Sequence, residues 1–357
     1  MSKKAYCLVM AGGKGTRFWP ESTKQKPKQY LTLTGDRPLL AQTLTRFDNL
    51  VGFDDRYIVT VKEQEKLVEA ASLDLSPKEN IIFEPAGRNT APCILLSLAR
   101  LIKDGASDDD LIVVVPSDHV ILNTTGFQST ITKAMEIAKL RKEIVTIGIV
   151  PHFPHTGFGY IQRGEQVENG YRVEQFKEKP DFETAKAYLS SGNFYWNAGM
   201  FVAPISVFKE ELELHSPEIS KFFNPLLENL NDDQKLSEIY NSIPEDSIDY
   251  AVMEKSEKVS VCPAEFDWND LGSWDALESV IEDQDENTIV QSKGHYFENA
   301  KGNIVFTPDR FVSLINVDDL IVVSNEKSVV VLPKKDSQRV KNIVEFLKKS
   351  DLGEDLL

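Results

Sequence analysis

A chain of 357 residues with 41% hydrophobic content can bury a large core, as one large or two unequal domains, and a formal net charge of −16 argues against nucleic acid or an anionic membrane as its partner. No apolar run is long enough to span a bilayer, and the short run after Lys3 and Lys4 ends in a glycine turn, so the expectation is a cytoplasmic protein without a leader. Cys7, Cys93 and Cys262 are odd in number and scattered, which fits reduced thiols and no disulfide framework.

The first predicted strand, 5–10, runs into V-M-A-G-G-K-G-T-R-F-W-P-E-S-T-K-Q-K-P-K-Q-Y-L from Val9. Gly12, Gly13 and Gly15 let backbone N–H groups close on an anion. Lys14, Arg17, Lys24, Lys26 and Lys28 stand against one acid, Glu21, a local excess of positive charge that a polyphosphate substrate would explain. The alternative is a strand-to-helix turn followed by a solvated lysine face. Gly15 is followed by Thr16 and Arg17, which excludes a P-loop, and Phe18 stands where a dinucleotide fingerprint needs its third glycine.

Further strands are predicted at 56–61, 80–83, 111–116 and 144–150, with helices at 39–47, 64–71, 91–103 and 127–139. This alternation predicts an α/β fold with a Rossmann-like, mostly parallel mixed sheet and helices on both faces, its ligands beyond the carboxyl ends of the strands. After 80–83 comes F-E-P-A-G-R-N-T-A-P, where Asn89 or Thr90 can cap a helix and Glu84 can accept from the N1–H and amine of a guanine. After 111–116, Asp118 fits a magnesium ligand or a turn cap equally well. His119, His152, His155, His215 and His295 have no partners at ligand spacing, so zinc is not expected.

Three aromatic-rich stretches follow, around Gly159, Glu178 and Asn197. Glu178 and Asn197 suit sugar hydroxyls and Lys179 an attached phosphate, whereas Trp196 and Phe201 are expected in the core. In F-D-W-N-D-L-G-S-W, Asp270 can complete a two-carboxylate metal site with Asp118, and Asp267 is expected to make a turn hydrogen bond or cap. Beyond Trp274 we expect a helix to about 281, an acidic stretch at 282–286, short strands at 302–306, 311–316, 320–324 and 328–332, and a helix at 337–349 with Val340, Ile343, Val344 and Leu347 on one side. A boundary near Asp285 divides a catalytic domain, 1–284, from a small β domain, 285–357.

These segments resemble the sugar-phosphate nucleotidyltransferases, and within them the mannose-1-phosphate guanylyltransferase family. The resemblance rests on A-G-G-K-G-T-R-F-W-P-E-S from Ala11, F-E-P-A-G-R-N-T-A-P from Phe83, P-S-D-H from Pro116, T-G-F-G-Y-I from Thr156, E-K-P from Glu178, W-N-A-G-M-F from Trp196, S-I-D-Y-A-V-M-E from Ser247 and D-W-N-D-L-G-S-W from Asp267. It implies transfer of GMP from GTP to mannose 1-phosphate with Mg²⁺, by direct in-line attack. Arg17, Lys28 and Lys179 would be catalytic. Ala11, Gly12, Gly13, Lys14, Gly15, Thr16, Glu84, Asn89, Ala91 and Asp118 would bind nucleotide; Gly159, Glu178, Lys179 and Asn197 the sugar phosphate; Asp118 and Asp270 the metal. The family also implies a left-handed β-helix at the C-terminal end and a homodimer. His155 and Phe158 depart from the usual Glu and Tyr, and because the chain stops at Leu357, where longer relatives continue, mannose-6-phosphate isomerase activity is not expected. The alternatives are another hexose 1-phosphate or nucleotide, a GDP-mannose-sensing regulator without activity, and a glycosyltransferase. The last leaves the basic glycine turn unexplained.

Overall fold

The computed structural model describes residues 4–13, 15–282 and 286–357. Lys14 and the boundary expected at Asp285 lie outside the described residues. Nine strands form one sheet: β1 (Ala5–Met10), β2 (Arg56–Val61), β3 (Ile81–Glu84), β4 (Leu111–Pro116), β5 (Ile144–Ile149), β6 (Tyr160–Val167), β7 (Gly170–Lys177), β8 (Phe194–Pro204) and β9 (Val259–Pro263), in the order β3-β2-β1-β4-β8-β5-β9-β7-β6. The pairings leave only β7 and β8 running against the rest. The expected α/β sheet with helices on both faces is therefore what forms.

The helices are α1 (Leu39–Thr45), α2 (Glu65–Ala71), α3 (Thr90–Lys103), α4 (Thr124–Arg141), α5 (Phe182–Ser191), α6 (Ile205–His215), α7 (Pro217–Ser220), α8 (Phe223–Asn229) and α9 (Asp233–Asn241). Strands β1, β4 and β5 are apolar on both sides because both sides are covered. Tyr6 and Leu8 of β1 join α3 and α6 to α9 in one core, while Cys7 and Val9 join α1, α2, α4 and α5 in another. All three cysteines are buried and unlinked. No described helix is long and apolar enough to cross a membrane.

A second sheet follows, of β10 (Thr288–Glu298), β11 (Ile304–Ile315), β12 (Leu320–Ser324) and β13 (Val329–Pro333), parallel except for the β12–β13 pair. Here the sequence expectations need correction. The runs 302–306 and 311–316 belong to one strand, β11, and β10 has no counterpart among the predicted strands. The helix expected to about 281 is a 3₁₀ turn at Trp274–Ser279, and the closing helix is a 3₁₀ turn at Lys334–Arg339 followed by α10 (Val340–Leu347).

This C-terminal unit shares its core with the segment after the glycine turn. Phe18, Trp19, Leu31 and Leu33 pack with Trp274, Ile304, Phe306, Ile321, Val344 and Leu347. Hydrogen bonds cross the same junction: Trp19 Nε1 donates to the Leu356 carbonyl at 2.9 Å, Asn325 Nδ2 to that of Pro20 at 3.0 Å, and Gln291 Nε2 to that of Thr32 at 3.0 Å. The small sheet is thus the floor beneath the basic segment.

Candidate active site

The site forms where strand order places the carboxyl ends of β1, β4 and β3 together. The turn after β1 is fixed from below by buried amides. Gln29 Nε2 donates to the carbonyls of Ala11 at 2.6 Å and Gly13 at 3.2 Å, and Gln64 Oε1 accepts from Gln29, Tyr30 and Thr60. Gly15 sits at φ +51°, and a Cβ there would overlap Lys28, so glycine is required for Lys28 to pass beneath the turn.

Lys28 is only 5% exposed. Its ammonium donates to Asp118 Oδ2 at 2.9 Å and to the Asp270 carbonyl at 2.6 Å. Val120 and Asn269 form a β-bridge that brings the segments carrying these two acids side by side. Burial pushes the Asp118 carboxyl up, but Lys28 and His119 outweigh it and hold the group below the usual carboxylate range. Lys28, Asp118 and Asp270 line a cavity of about 360 Å³ with Gly15, Thr16, Arg17 and Gly272, and Arg17 Nη1 reaches the Gly272 carbonyl at 3.5 Å.

His119 and Asp270 also line a larger cavity of about 470 Å³, so the two spaces lie side by side. Its walls include Gly12, Gly13, Glu84, Asn89, Gly159, Glu178, Asn197 and Asp249. Glu84, 4% exposed, accepts a hydrogen bond from the Tyr240 hydroxyl, and burial raises its carboxyl to about 7 even though that bond opposes the shift. Around it Arg88 donates to the carbonyls of Ile243 at 3.1 Å and Asn241 at 2.5 Å, and Thr90 Oγ1 accepts from the Ile248 amide at 2.8 Å. The loop after α9 therefore clamps the loop after β3.

On the opposite wall Glu178 pairs with Lys179. A Cβ on Gly159 would come within 2.5 Å of Glu178 Oε2, so a larger residue there would displace that carboxylate. Asn197 Oδ1 accepts from Thr146 Oγ1 at 2.9 Å and from the Gly199 amide at 3.1 Å, while its Nδ2 donates to Asp249 Oδ1 at 3.0 Å.

The other residues singled out in the sequence take varied places. Ala11 and Ala91 are fully buried behind the cavities. The amide of Ala11 donates to Val59 and that of Ala91 to Asp246, so both N–H groups are committed to protein carbonyls. Asn89 lines the larger cavity, but its side chain accepts from the Thr90 amide as the cap of α3. Lys24 and Lys26 turn away from the phosphate-sized space, because the chain after Phe18 leads toward the C-terminal unit; Lys26 lines a separate cleft there with Lys327, and the Lys24 amide donates to the Leu357 carbonyl. Asp267 accepts from the amides of Leu122 and Asn123, both at 2.7 Å, so it ties its segment to a loop distant in sequence where the sequence predicts a local turn bond or cap. Trp196 and Phe201 are core residues at 1% exposure each. Gln29, Gln64, Tyr240 and Asp249 escape sequence reasoning, since each acts through a partner distant in sequence.

Among the described residues no group of three His, Cys, Asp or Glu side chains could hold a metal ion. The donor set of Asp118 and Asp270 fits Mg²⁺ nonetheless, because that ion takes one or two carboxylates and completes its shell with water and phosphate oxygens.

A nucleotidyl transferase family model matches residues 6–287, and a MannoseP isomerase/GMP-like β-helix domain model matches residues 299–347. Mannose-1-phosphate guanylyltransferase 2 of Escherichia coli O157:H7 is 39% identical over 355 residues, 96% of this chain and 73% of that protein. The chain belongs to the mannose-1-phosphate guanylyltransferase family. Mannose-1-phosphate guanylyltransferase RfbM of Salmonella typhimurium is 38% identical over 97% of this chain and 73% of its own length. A solved structure from Thermus thermophilus, described as a mannose-1-phosphate geranyltransferase, superposes with a TM-score of 0.89 at 33% identity, covering 97% of this chain and 99% of that one. This member of the guanylyltransferase family is accordingly a nucleotidyltransferase enzyme whose C-terminal unit is of the β-helix type.

Proposed function

We propose that the enzyme transfers GMP from GTP to mannose 1-phosphate, releasing pyrophosphate and forming GDP-mannose. The observation that carries this reading is the buried Lys28, held between Asp118 and the Asp270 carbonyl in a small cavity that also holds Arg17 and that shares His119 and Asp270 with the larger cavity beside it. The names of the similar proteins support the substrate pair.

The attacking group is already a phosphate oxyanion, so the enzyme needs no general base and no covalent intermediate. Alignment and charge neutralisation suffice. In this reading the backbone of Gly12, Gly13, Gly15 and Thr16, with Lys14 and Arg17, holds the triphosphate; Lys28 approaches the α-phosphate; Glu84 and the loop carrying Asn89 receive guanine. Gly159, Glu178 and Asn197 orient mannose, and Lys179 meets its phosphate. Asp118 and Asp270 would hold Mg²⁺, which when bound neutralises phosphate charge. Residues 1–284 and 285–357 then act as catalytic domain and β-helix support. The buried, unlinked thiols support a reducing, cytoplasmic setting.

Pyrophosphate release measured with GTP, ATP, UTP and CTP against mannose 1-phosphate and glucose 1-phosphate tests the assignment. GTP with mannose 1-phosphate is expected to give the highest kcat/KM. A higher value for any other pair would overturn it.

A further inference from the structure

A buried carboxylate needs a partner, since taking its charge out of water is costly unless hydrogen bonds or cations compensate. Asp249 follows Ile248 in a π-helical turn, Asp249–Met253, and its side chain lines the larger cavity. Its carboxylate accepts from an amide, Asn197 Nδ2 at 3.0 Å. The nearby cation, Lys179, is paired with Glu178 instead. Burial and the Glu178 charge push the Asp249 carboxyl up to about 7, against the opposing pull of Lys179. Two acids, Glu178 and Asp249, thus line one cavity, and the one lysine near them is paired with Glu178, an arrangement that is poor for stability and good for accepting hydrogen bonds from a ligand rich in O–H donors.

We propose that Asp249 reads a hydroxyl of the bound hexose, working beside Glu178 as a second sugar-binding carboxylate and as a determinant of which hexose 1-phosphate is accepted. This rests on the functional reading above. Adjacent hydroxyls on a pyranose ring can be shared between two such acids. The bond from Asn197 then serves to aim Asp249 Oδ1, and Asn197 itself has both ends of its amide committed to protein. The sequence alone assigns Asn197 to the sugar directly. Its Oδ1 is taken by Thr146 and Gly199 and one Nδ2 hydrogen by Asp249, which leaves a single N–H for the sugar and makes the acid it positions a second reader.

The test is Asp249→Asn, which keeps shape and removes the charge, assayed with GTP and a panel of mannose 1-phosphate, glucose 1-phosphate and singly deoxygenated hexose 1-phosphates. We expect KM for mannose 1-phosphate to rise at least tenfold while KM for GTP stays within twofold. For one deoxy sugar the variant and the parent should become equal, because the hydroxyl that Asp249 reads is gone. A merely structural role would weaken every sugar alike and shift the GTP constant too, and that outcome overturns the inference, as does an unchanged KM for mannose 1-phosphate. If the parent enzyme releases no pyrophosphate with any pair, the functional reading falls and takes this one with it; an active parent beside an indifferent variant sinks the role of Asp249 alone.

Discussion

An ammonium wedged between a carboxylate and a carbonyl, as in Lys28, is oriented before any substrate arrives, so no reorganisation is needed when phosphate charge develops. Lys28→Met should lower kcat by about a hundredfold or more, roughly 3 kcal/mol in the barrier, with a smaller change in KM for GTP, as read by steady-state pyrophosphate release. At the other wall, Tyr240 fixes one oxygen of Glu84 and leaves the other toward Gly12. Tyr240→Phe should therefore narrow the preference for GTP over ATP, with little loss of kcat for GTP at saturation; an unchanged preference would show that Glu84 does not need this aim. Arg17, Lys28, Asp118 and Asp270 are legible in the sequence because each sits in a short motif whose charge stands out from its surroundings. Tyr240 is not, for it meets Glu84 across 156 positions, and Lys24 and Lys26 mislead because charge alone does not say which way a turn carries the chain.

At the scale of elements, β1, β2, β4 and β12 fall where the residue patterns put them, since a strand buried on both faces is written as a mostly apolar, β-branched run. β10 escapes because its residues are mostly half-buried and polar; its pairing with β11, and not its own composition, makes it a strand. α10 packs against the 3₁₀ turn Thr16–Phe18, with Val344 and Leu347 in the core that also holds Phe18 and Trp274. Leu347→Ala should cost about 2–5 kcal/mol in denaturant unfolding and, by loosening the floor under Arg17, raise KM for GTP. Loss of stability with an unchanged KM would show that the support is not transmitted.

For the whole molecule, the acids with raised values set a pH dependence. Asp249 and Glu84 both titrate near 7 when folded, above their unfolded values of 3.8 and 4.5, so the folded state holds more protons and stability falls as pH rises from about 4 to above 7. Asp249→Asn should then be more stable than the parent at pH 8, by up to roughly 4 kcal/mol, and the gain should vanish near pH 4 in chemical denaturation at the two pH values. The family resemblance implies a homodimer, for which light scattering should return twice the chain mass, and the exposed Val329 and Val331 on β13 offer apolar surface to such a contact. The four tryptophans divide between two places: Trp268 lines the larger cavity, with Phe158 packed between it and Trp196, whereas Trp19 and Trp274 sit in the core shared with the C-terminal unit. Replacing either pair with phenylalanine would leave an optical reporter on only one of them, so that ligand arrival and undocking of the small sheet could be timed separately by emission in the same solution.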